Sequence, residues 1–462
     1  MPYPPITPED LATLRRVLGE TRISTGASNL DLHSRDESYH EPHRPHVVVW
    51  PRKTEDVVAV VKLAGQKGYP VTAWCAGTSL EGNPIPVEGG IVLDFAEMNR
   101  ILEIREKDLQ VDVEVGLPYR ELNDRLRHYG LFFPPDPGAH ASLGGMIGNN
   151  ASGVRTVAYG ATRECVLGME VVTAEGDVLR LGSRAIKSSA GYDLLRLMVG
   201  SEGTLGIATS VTLRLRGLPP EYLTVVATFP AIEAACDAVS ETIRYGLNPA
   251  ALELMDAAVV AEINRDQKMG LDEQPMLFLE FHNVNESALE SQFELVQGVL
   301  EERGALKIER GIGADERVRL WEVRHAALES IKRNHPGKAV LLVDTCVPIS
   351  RYAEMVGRAK QAVEREGVPG FFWGHAGDGN LHLGLAFDRE DAAAKAAVGR
   401  VNRAVVEHSL AVGGTCTGEH GVGLGKLPFV EAEHGRALEY MRRIKKAFDP
   451  KGILNPGKML PD

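Results

Sequence analysis

The hydrophobic pattern in the first half of the chain consists of short β-branched runs bounded by glycine and other turn residues. This pattern predicts β-strands at VTAWCAG, GGIVLDF, LQVDVEVG, MEVVTAEGDVLRL and GIATSVTLRLR. Apolar residues spaced three and four apart predict helices at TEDVVAVVKLAGQKG and PYRELNDRLRHYG. The first half, up to about Leu218, is therefore predicted to be α+β.

The second half has a more regular pattern, in which a strand is followed by a helix with one apolar face. The strands are YLTVVATF, PMLFLEF, AVLLVDTCVPI and LHLGLAF, and the helices after them begin at AIEAACDAV, ESALESQFEL, SRYAEMVGR and DREDAAAKA. No strand–helix pair can bury its apolar faces alone. We therefore predict one antiparallel sheet with helices on one face, which begins after the Pro/Gly break at 217–220.

Composition and charge narrow the class of protein. The 462 residues include 51 basic and 63 acidic side chains, and the net charge of −12 gives no general attraction to nucleic acid. No apolar run reaches the 18 residues of a membrane span. The N-terminus has the features of a helix start, with Thr7 as N-cap, and not those of a secretory signal. Five scattered cysteines favour reduced thiols, so we expect a cytoplasmic protein.

Glycine-rich loops take the place of the common nucleotide-binding motifs. Neither G-x-G-x-x-G nor G-x-x-x-x-G-K-[ST] occurs, so the main signatures of Rossmann NAD enzymes and P-loop NTPases are missing. Three other loops, CAGTSLEG, GGMIGNNASG and GSEGTLG, offer backbone N–H groups that can bind a pyrophosphate. Each loop taken singly is more often a plain turn, but three in one half of the chain favour a cofactor site.

A series of longer blocks resembles the FAD-binding domain of the vanillyl-alcohol oxidase superfamily. The blocks are PRKTEDVVAVVKLA, AGTSLEG, GGIVLDFAEMNRILEI, FPPDPGAHASLGGMIGNNASG, YGATRECVLGMEVV and AGYDLLRLMVGSEGTLGI. The second half resembles the C-terminal domain of that family's 2-hydroxy-acid branch. This branch includes cytochrome-type D-lactate dehydrogenase, the glycolate oxidase FAD subunit and D-2-hydroxyglutarate dehydrogenase.

The resemblance implies a domain order and a set of FAD contacts. Residues 1–46 would form an N-terminal helix and strap, 47–218 the FAD-binding domain, 219–410 a substrate and metal cap, and 411–462 a segment that returns to the flavin. Noncovalent FAD is expected. Its contacts would be Ala76, Gly77, Thr78, Ser79, Leu80 and Gly82 at the pyrophosphate, Pro135, Asp136, Gly144, Gly145, Asn149, Ser152 and Gly153 at the flavin and ribityl chain, Glu202, Gly206 and Ile207 at the adenine, and Asn455 at the flavin.

A candidate metal site lies in the stretch GHAGDGNLH. His375 and His382 flank a Gly-Asp-Gly-Asn turn between two predicted strands, so they can converge on one point, and Glu419 can add a carboxylate. Two histidines and one carboxylate suit zinc or manganese, and the same set can hold iron in an oxygenase. Histidines near a turn are also often only exposed or hydrogen-bonded. All three residues match metal ligands of the 2-hydroxy-acid branch that this chain resembles, and this resemblance implies a divalent metal.

His420 is the candidate general base. We expect Glu419 and His420 to point to opposite sides of an extended segment, one toward the metal and the other toward the substrate. His420 would take the proton of the 2-hydroxyl while the C2 hydride passes to the flavin. The alternative is a structural histidine in a glycine loop.

Two further residues are candidates for substrate contact. The resemblance assigns Arg324 to the substrate carboxylate, which a guanidinium can bind through two hydrogen bonds. The alternative for Arg324 is a surface arginine on the helix ADERVRLWEVRHAALESIK. Asn380 is a polar candidate in the hairpin that carries the two histidines.

The same comparison with the family narrows the substrate. D-2-hydroxyglutarate-type members have a lysine where this chain has Leu342 and a threonine where it has Leu328. Both differences remove a polar partner for a second carboxylate, whose burial without a partner is costly. We therefore expect a monocarboxylate such as D-lactate, and the blocks DPGAHASLGGM and GGTCTGEHGVGLGK also resemble the D-lactate dehydrogenases most closely.

The resulting expectation is an FAD- and metal-dependent D-2-hydroxy-acid dehydrogenase that converts D-lactate to pyruvate. Electrons would pass to a cytochrome, a quinone or an electron-transfer flavoprotein. Close alternatives are a glycolate oxidase FAD subunit and a D-2-hydroxyglutarate dehydrogenase. More distant ones are a flavin-free metalloenzyme and a noncatalytic subunit of a complex. Peripheral membrane association and a homodimer stay open, and no nucleic-acid partner is expected.

Overall fold

The computed structural model describes residues 3–461, apart from the side chain of His325. Its contacts divide this part of the chain into two compact units. The first unit comprises residues 3–152, Ala161–Leu218 and 419–461, and the second comprises Gly153–Gly160 and Pro219–Gly418. Helices and strands are mixed in both units, as the α+β prediction requires.

The strands belong to separate sheets in the two units. In chain order they are β1 (Ile23–Ser24), β2 (Val47–Val49), β3 (Val71–Trp74), β4 (Ile91–Asp94), β5 (Ile101–Arg105), β6 (Gln110–Glu114), β7 (Leu131–Phe132), β8 (Val166–Val172), β9 (Val178–Gly182), β10 (Ile207–Arg214), β11 (Arg216–Gly217), β12 (Glu221–Thr228), β13 (Ala251–Met255), β14 (Met276–Asn283), β15 (Lys307–Ile312), β16 (Ala339–Cys346), β17 (Gly370–Gly374) and β18 (Asn380–Phe387).

None of the described helices is long and apolar enough to cross a bilayer. In chain order the helices are α1 (Pro8–Leu18), α2 (Ala27–Leu32), α3 (Thr54–Lys67), α4 (Tyr119–Leu126), α5 (Leu143–Asn149), α6 (Thr156–Tyr159), α7 (Thr162–Cys165), α8 (Leu194–Met198), α9 (Ile232–Arg244), α10 (Ala257–Gln267), α11 (Glu286–Glu302), α12 (Ala314–His325), α13 (Ala327–Asn334), α14 (Tyr352–Glu366), α15 (Ala392–Ala411), α16 (Leu427–His434) and α17 (Ala437–Phe448).

The first unit contains a four-stranded sheet in the order β1-β2-β4-β3 and an antiparallel five-stranded sheet in the order β5-β6-β10-β8-β9. Helix α3 buries an apolar face of Val57, Val60 and Val61 in the core that it shares with β2, β3 and β4. The C-terminal segment returns to this unit, because Val71 N donates to the Ile453 carbonyl and Asn455 N donates to the Val71 carbonyl, both at 2.8 Å.

The second unit is built on one antiparallel sheet of seven strands in the order β15-β12-β14-β13-β17-β18-β16. Three of these strands lie outside the four strand–helix pairs of the prediction, namely β13, β15 and β17. The predicted single helix ADERVRLWEVRHAALESIK is instead two helices, α12 and α13, which meet at Ala326. The sheet is therefore larger than the repeated pattern indicated.

Two boundaries differ from the predicted domain limits. Residues 411–418 belong to the second unit and not to the C-terminal segment, because Thr417 Oγ1 and Gly418 N donate to Asp344 Oδ2 at 2.9 and 2.8 Å. Residues Gly153–Gly160 also belong to the second unit, where the Tyr159 hydroxyl lies 2.7 Å from His282 Nδ1. Both boundaries depend on side-chain contacts between residues far apart in sequence.

Candidate active site

Residues of all three glycine-rich loops line one cavity in the first unit. Its empty space amounts to about 1290 Å³, part of which is open solvent. No lysine or arginine is among the described residues that line it. A pyrophosphate bound there would therefore be held by backbone N–H groups and not by side-chain cations.

Most of the predicted FAD contacts line this cavity. They are Ala76, Gly77, Thr78, Ser79, Leu80, Gly144, Gly145, Asn149, Glu202, Gly206, Ile207 and Asn455. Much of the apolar lining was not predicted, because a single apolar residue carries no local signal for a cofactor contact. This part includes Pro137, Ala139, Ala141, Met146, Met169, Val171 and Met198.

The other five predicted contacts lie outside the cavity lining. Gly82 N donates to Asp36 Oδ2 at 2.8 Å, and Asp136 accepts a hydrogen bond from the Tyr119 hydroxyl at 2.7 Å. Pro135 and Ser152 also belong to the first unit without lining the cavity, and Gly153 belongs to the second unit. These five residues lie at or near the ends of the loops and blocks from which the contacts were predicted. Spacing along the sequence alone could not distinguish them from the loop residues that line the cavity.

Glu202 is a buried carboxylate in the wall of the cavity. Its oxygens accept the N–H of Val422 at 2.6 Å and that of Gly423 at 3.0 Å. Asn455 Nδ2 donates to the backbone carbonyls of Glu202 and Asn83, at 2.8 and 3.1 Å. Burial raises the pKa of Glu202 to about 7, although the hydrogen bonds that its carboxylate accepts act in the opposite direction.

We expect Glu202→Gln to weaken the pH dependence of stability in the FAD-free chain. The pKa of Glu202 is higher in the folded chain than in the unfolded chain, so the folded chain binds more protons between about pH 4.5 and 7. The free energy of unfolding therefore decreases as pH rises through this window, by up to roughly 3 kcal/mol. Urea unfolding at pH 5 and pH 7.5 measures the difference. The exposed Glu175→Gln is the control, and an unchanged pH slope in Glu202→Gln would contradict the assignment.

Glu419 and His420 meet in the wall of the same cavity. The Ser152 hydroxyl donates to Glu419 Oε2 at 3.0 Å, and His420 Nε2 lies 3.7 Å from Glu419 Oε1. On the other side of the ring, His420 Nδ1 lies 3.9 Å from Glu81 Oε1, which is also 3.5 Å from Lys426 Nζ. The expectation that the two side chains point to opposite sides was wrong, because residues 418–420 form a bend and not an extended segment.

The two predicted metal-binding histidines come together in the second unit. His375 directly follows β17 and His382 lies within β18, and their buried rings are perpendicular with centroids 5.1 Å apart. His375 Nδ1 is 2.7 Å from Glu253 Oε1, and His382 Nδ1 is 3.6 Å from Asp344 Oδ1. A carboxylate near Nδ1 is the usual arrangement of a histidine that binds metal through Nε2.

Arg324 is buried, so the alternative of a surface arginine was wrong. Its Nε and Nη2 atoms lie 2.9 and 2.6 Å from Glu253 Oε2. Asn380 is also buried, and its Nδ2 donates to Asp344 Oδ1 at 2.7 Å and to the Thr345 carbonyl at 3.0 Å. Within the described part of the chain, Asn380 Oδ1 has no hydrogen-bond donor, so it is available to a ligand.

The sequence reasoning missed three buried carboxylates next to the predicted residues. Glu253 and Asp344 are wholly buried, and Glu81 is 3% exposed. Each had a signal in the sequence. The strands ALELM and AVLLVDTC each place one carboxylate among apolar residues, and Glu81 lies in the first glycine loop. A charged side chain inside an apolar strand needs a partner of opposite charge or a hydrogen-bond donor. The sequence did not show which residues these partners are.

Comparison with known families identifies the class of protein as an FAD-linked oxidoreductase. Residues 218–459 match the C-terminal domain of FAD linked oxidases, and residues 45–182 match an FAD binding domain. The chain therefore belongs to the FAD-linked oxidase family.

Individual relatives cover nearly the whole chain. The D-lactate dehydrogenase [cytochrome] of Arabidopsis thaliana mitochondria is 36% identical over 98% of this chain and 80% of its own length. The glycolate oxidase subunit GlcD of Bacillus subtilis is 34% identical over 98% of this chain and 97% of its own. The solved structure of 4-ethylphenol oxidase from Gulosibacter chungangensis has the same fold, with a TM-score of 0.81 at 20% identity over 99% of this chain and 98% of that one.

Proposed function

We propose that this oxidoreductase removes a hydride from a D-2-hydroxy acid, D-lactate in particular, with the help of a divalent zinc or manganese ion. The observation that carries the proposal is a histidine, His420, in the wall of the FAD cavity. A base at this point is what the oxidation of a hydroxyl group requires. The similarity to a relative named D-lactate dehydrogenase supports the choice of substrate.

The cavity fits FAD by its shape and chemistry. A Cβ atom on Gly144 would lie 2.9 Å from Cys75 Sγ and 3.1 Å from Val115, so the close backbone approach at this loop needs glycine. A Cβ atom on the next residue, Gly145, would meet no atom within 4 Å. The loop is thus packed on one side and open on the other, which suits a backbone that contacts a bound cofactor.

The second unit offers donors that fit a divalent metal. His375 and His382 would bind it, and each ring has a buried carboxylate near its Nδ1 atom. We infer that Glu419 is the third ligand. It follows Gly418 in the chain, and Gly418 N donates to Asp344. Two histidines and a carboxylate leave positions open for a substrate.

Each of the proposed catalytic and substrate-binding residues has a separate role in the reaction. Bound FAD would supply the acceptor for the C2 hydride, and the metal would supply a Lewis acid that lowers the pKa of the 2-hydroxyl. His420 takes the hydroxyl proton at Nε2, and the Glu81 carboxylate near Nδ1 stabilises the imidazolium that results. Arg324 binds the substrate carboxylate through its guanidinium. Asn380, whose Nδ2 donates to Asp344 Oδ1, is the proposed polar contact beside the two histidine ligands.

The proposed preference for a monocarboxylate depends on two leucines. Leu342 is buried in β16 and Leu328 is half-buried in α13. Neither can pair with a second carboxylate, so a dicarboxylic substrate would lose the hydration of one charge without compensation. D-Lactate has a methyl group in place of the second carboxylate, so it has no charge there whose hydration would be lost.

The anaerobic visible spectrum of the purified protein tests the proposal. We expect the flavin bands to bleach on addition of D-lactate and to remain on addition of L-lactate. Bleaching by glycolate or D-2-hydroxyglutarate, with none by D-lactate, would contradict the substrate assignment and leave the FAD chemistry intact. Glycolate is the second candidate, because the Bacillus subtilis relative is named a glycolate oxidase subunit.

We also propose that electrons leave the reduced flavin to a cytochrome, a quinone or an electron-transfer flavoprotein. The name of the Arabidopsis thaliana relative, D-lactate dehydrogenase [cytochrome], supports the cytochrome. Stopped-flow reoxidation of the reduced protein by each acceptor compares them directly. A cytoplasmic location stays a prediction from the sequence.

A further inference from the structure

The second unit contains two clusters of the same composition on one face of its sheet, each around a wholly buried glutamate. Each consists of a glutamate with an arginine on one oxygen and a histidine on the other. In the first cluster, Arg324 Nε lies 2.9 Å from Glu253 Oε2, and His375 Nδ1 lies 2.7 Å from Glu253 Oε1. In the second, Arg317 Nε lies 2.5 Å from Glu280 Oε2, and His282 Nε2 lies 2.6 Å from Glu280 Oε1.

Strand register and helix periodicity explain why the clusters lie side by side. Ala251 pairs with Glu280 and Glu253 pairs with Phe278, so the two glutamates are diagonal neighbours on the same face of β13 and β14. Their arginines are seven residues apart in α12, which is about two helical turns. One side of the helix therefore supplies an arginine to each glutamate.

Only the first cluster contains residues of the proposed mechanism. Arg324 is the proposed carboxylate-binding residue and His375 a proposed metal ligand, and one wholly buried carboxylate holds both. A buried carboxylate is costly unless its oxygens are bonded, and here both oxygens are used. Glu253 thus fixes the two side chains relative to each other.

We propose that Glu253 is a positioning residue that sets the tautomer of His375 and the orientation of Arg324 together. This inference rests on the proposed function. A carboxylate only accepts hydrogen bonds, so the proton of His375 must lie on Nδ1 and the lone pair on Nε2. Nε2 is then the ring atom that would bind a metal, and the guanidinium of Arg324 is held in one orientation by the same carboxylate.

The substitution Glu253→Gln tests this inference because glutamine has one acceptor and one donor group. The charged guanidinium of Arg324 retains the amide oxygen, so the amide NH₂ faces His375 Nδ1. Nδ1 must then accept, which moves the proton to Nε2 and blocks that atom as a ligand. We expect the affinity for Mn²⁺ to fall by about 10–100-fold, the range found when the outer partner of a ligating histidine is lost.

The experiment has two readouts, on protein with FAD bound. The tautomer of His375 is read from long-range ¹H–¹⁵N spectra of the metal-free chain with ¹⁵N-labelled histidine, assigned with His375→Gln. The Mn²⁺ dissociation constant is measured by titration. Glu280→Gln is the matched control, since it changes an equally buried glutamate in an Arg–Glu–His cluster that contains no proposed ligand. We expect its Mn²⁺ affinity to stay within about twofold of wild type.

Each outcome decides the inference. A proton on Nδ1 of His375 in the wild type and on Nε2 in Glu253→Gln, with weaker Mn²⁺ binding, supports it. A wild-type proton on Nε2 overturns it, even if the variant fails to fold, and so does wild-type Mn²⁺ affinity in Glu253→Gln. If the wild type binds neither Mn²⁺ nor Zn²⁺, the metal part of the proposed function fails, and the tautomer comparison alone then decides the role of Glu253.

Discussion

Replacement of His420 by alanine is expected to lower the rate of flavin reduction by D-lactate by about 10²–10⁴-fold, the usual contribution of a general base. FAD should stay bound, because one contact of His420 with a glycine-rich loop is made by its backbone. Asn149 Nδ2 donates to the His420 carbonyl at 3.1 Å, and alanine keeps this carbonyl. Anaerobic stopped-flow absorbance gives the rate, and the flavin spectrum of the oxidised variant gives the FAD content.

A matched control separates the loss of a base from the loss of any histidine. His128 is exposed in the same unit, so His128→Ala should reduce its flavin at the wild-type rate. If His420→Ala retained both FAD and the wild-type rate, the base would have to be another residue. Glu81→Gln adds a graded test. It removes the charge 3.9 Å from His420 Nδ1, so we expect a smaller loss than in His420→Ala.

Removal of the divalent metal by chelation is expected to lower flavin reduction by at least about 10²-fold without release of FAD. A Lewis acid on the substrate hydroxyl contributes several kcal/mol to the transition state, and 1.36 kcal/mol corresponds to a factor of ten in rate. Addition of Mn²⁺ or Zn²⁺ should restore the rate. Stopped-flow reduction before chelation, after it and after metal return measures the effect, with metal content determined on the same samples.

Two histidine variants of the second unit sharpen this test. His382→Ala removes a proposed ligand, so added metal should not restore its rate. His408 lies in α15 and contacts Glu354 at 3.3 Å, away from the proposed ligands in sequence, so His408→Ala should respond to metal as the wild type does. Full activity in protein that contains no metal by elemental analysis would remove the metal from the mechanism.

Local patterns were enough to predict much of the fold. Thr7 was predicted as an N-cap, and α1 begins at Pro8 with Asp10 N bonded to Thr7 Oγ1 at 3.2 Å. The predicted break near Leu218 coincides with a limit between the two compact units. Such features depend on residues close together in sequence, where propensity and capping act without help from the rest of the chain.

Prediction was weaker where elements are short or depend on neighbours. Strand β13 (ALELM) has a buried glutamate at its centre, which breaks the apolar pattern that marks a strand. Helices α12 and α13 form one continuous pattern in sequence, whereas in the structure they are separated at Ala326 and α13 packs beside α10. The bend at 418–420 likewise follows from the bonds of Gly418 to Asp344 and of Ser152 to Glu419.

The sequence by itself indicated the glycine-rich loops, the candidate base and the pair of histidines, because these are local signals, and its resemblance to a known family implied FAD and the metal. Only the tertiary structure decided which buried carboxylates accompany them. Glu253, Asp344 and Glu81 come from parts of the chain that are 122, 38 and 339 residues away from His375, His382 and His420, respectively. A carboxylate is stable inside a protein only with its partners, and those partners are chosen by strand register and helix position, which no short stretch of sequence contains.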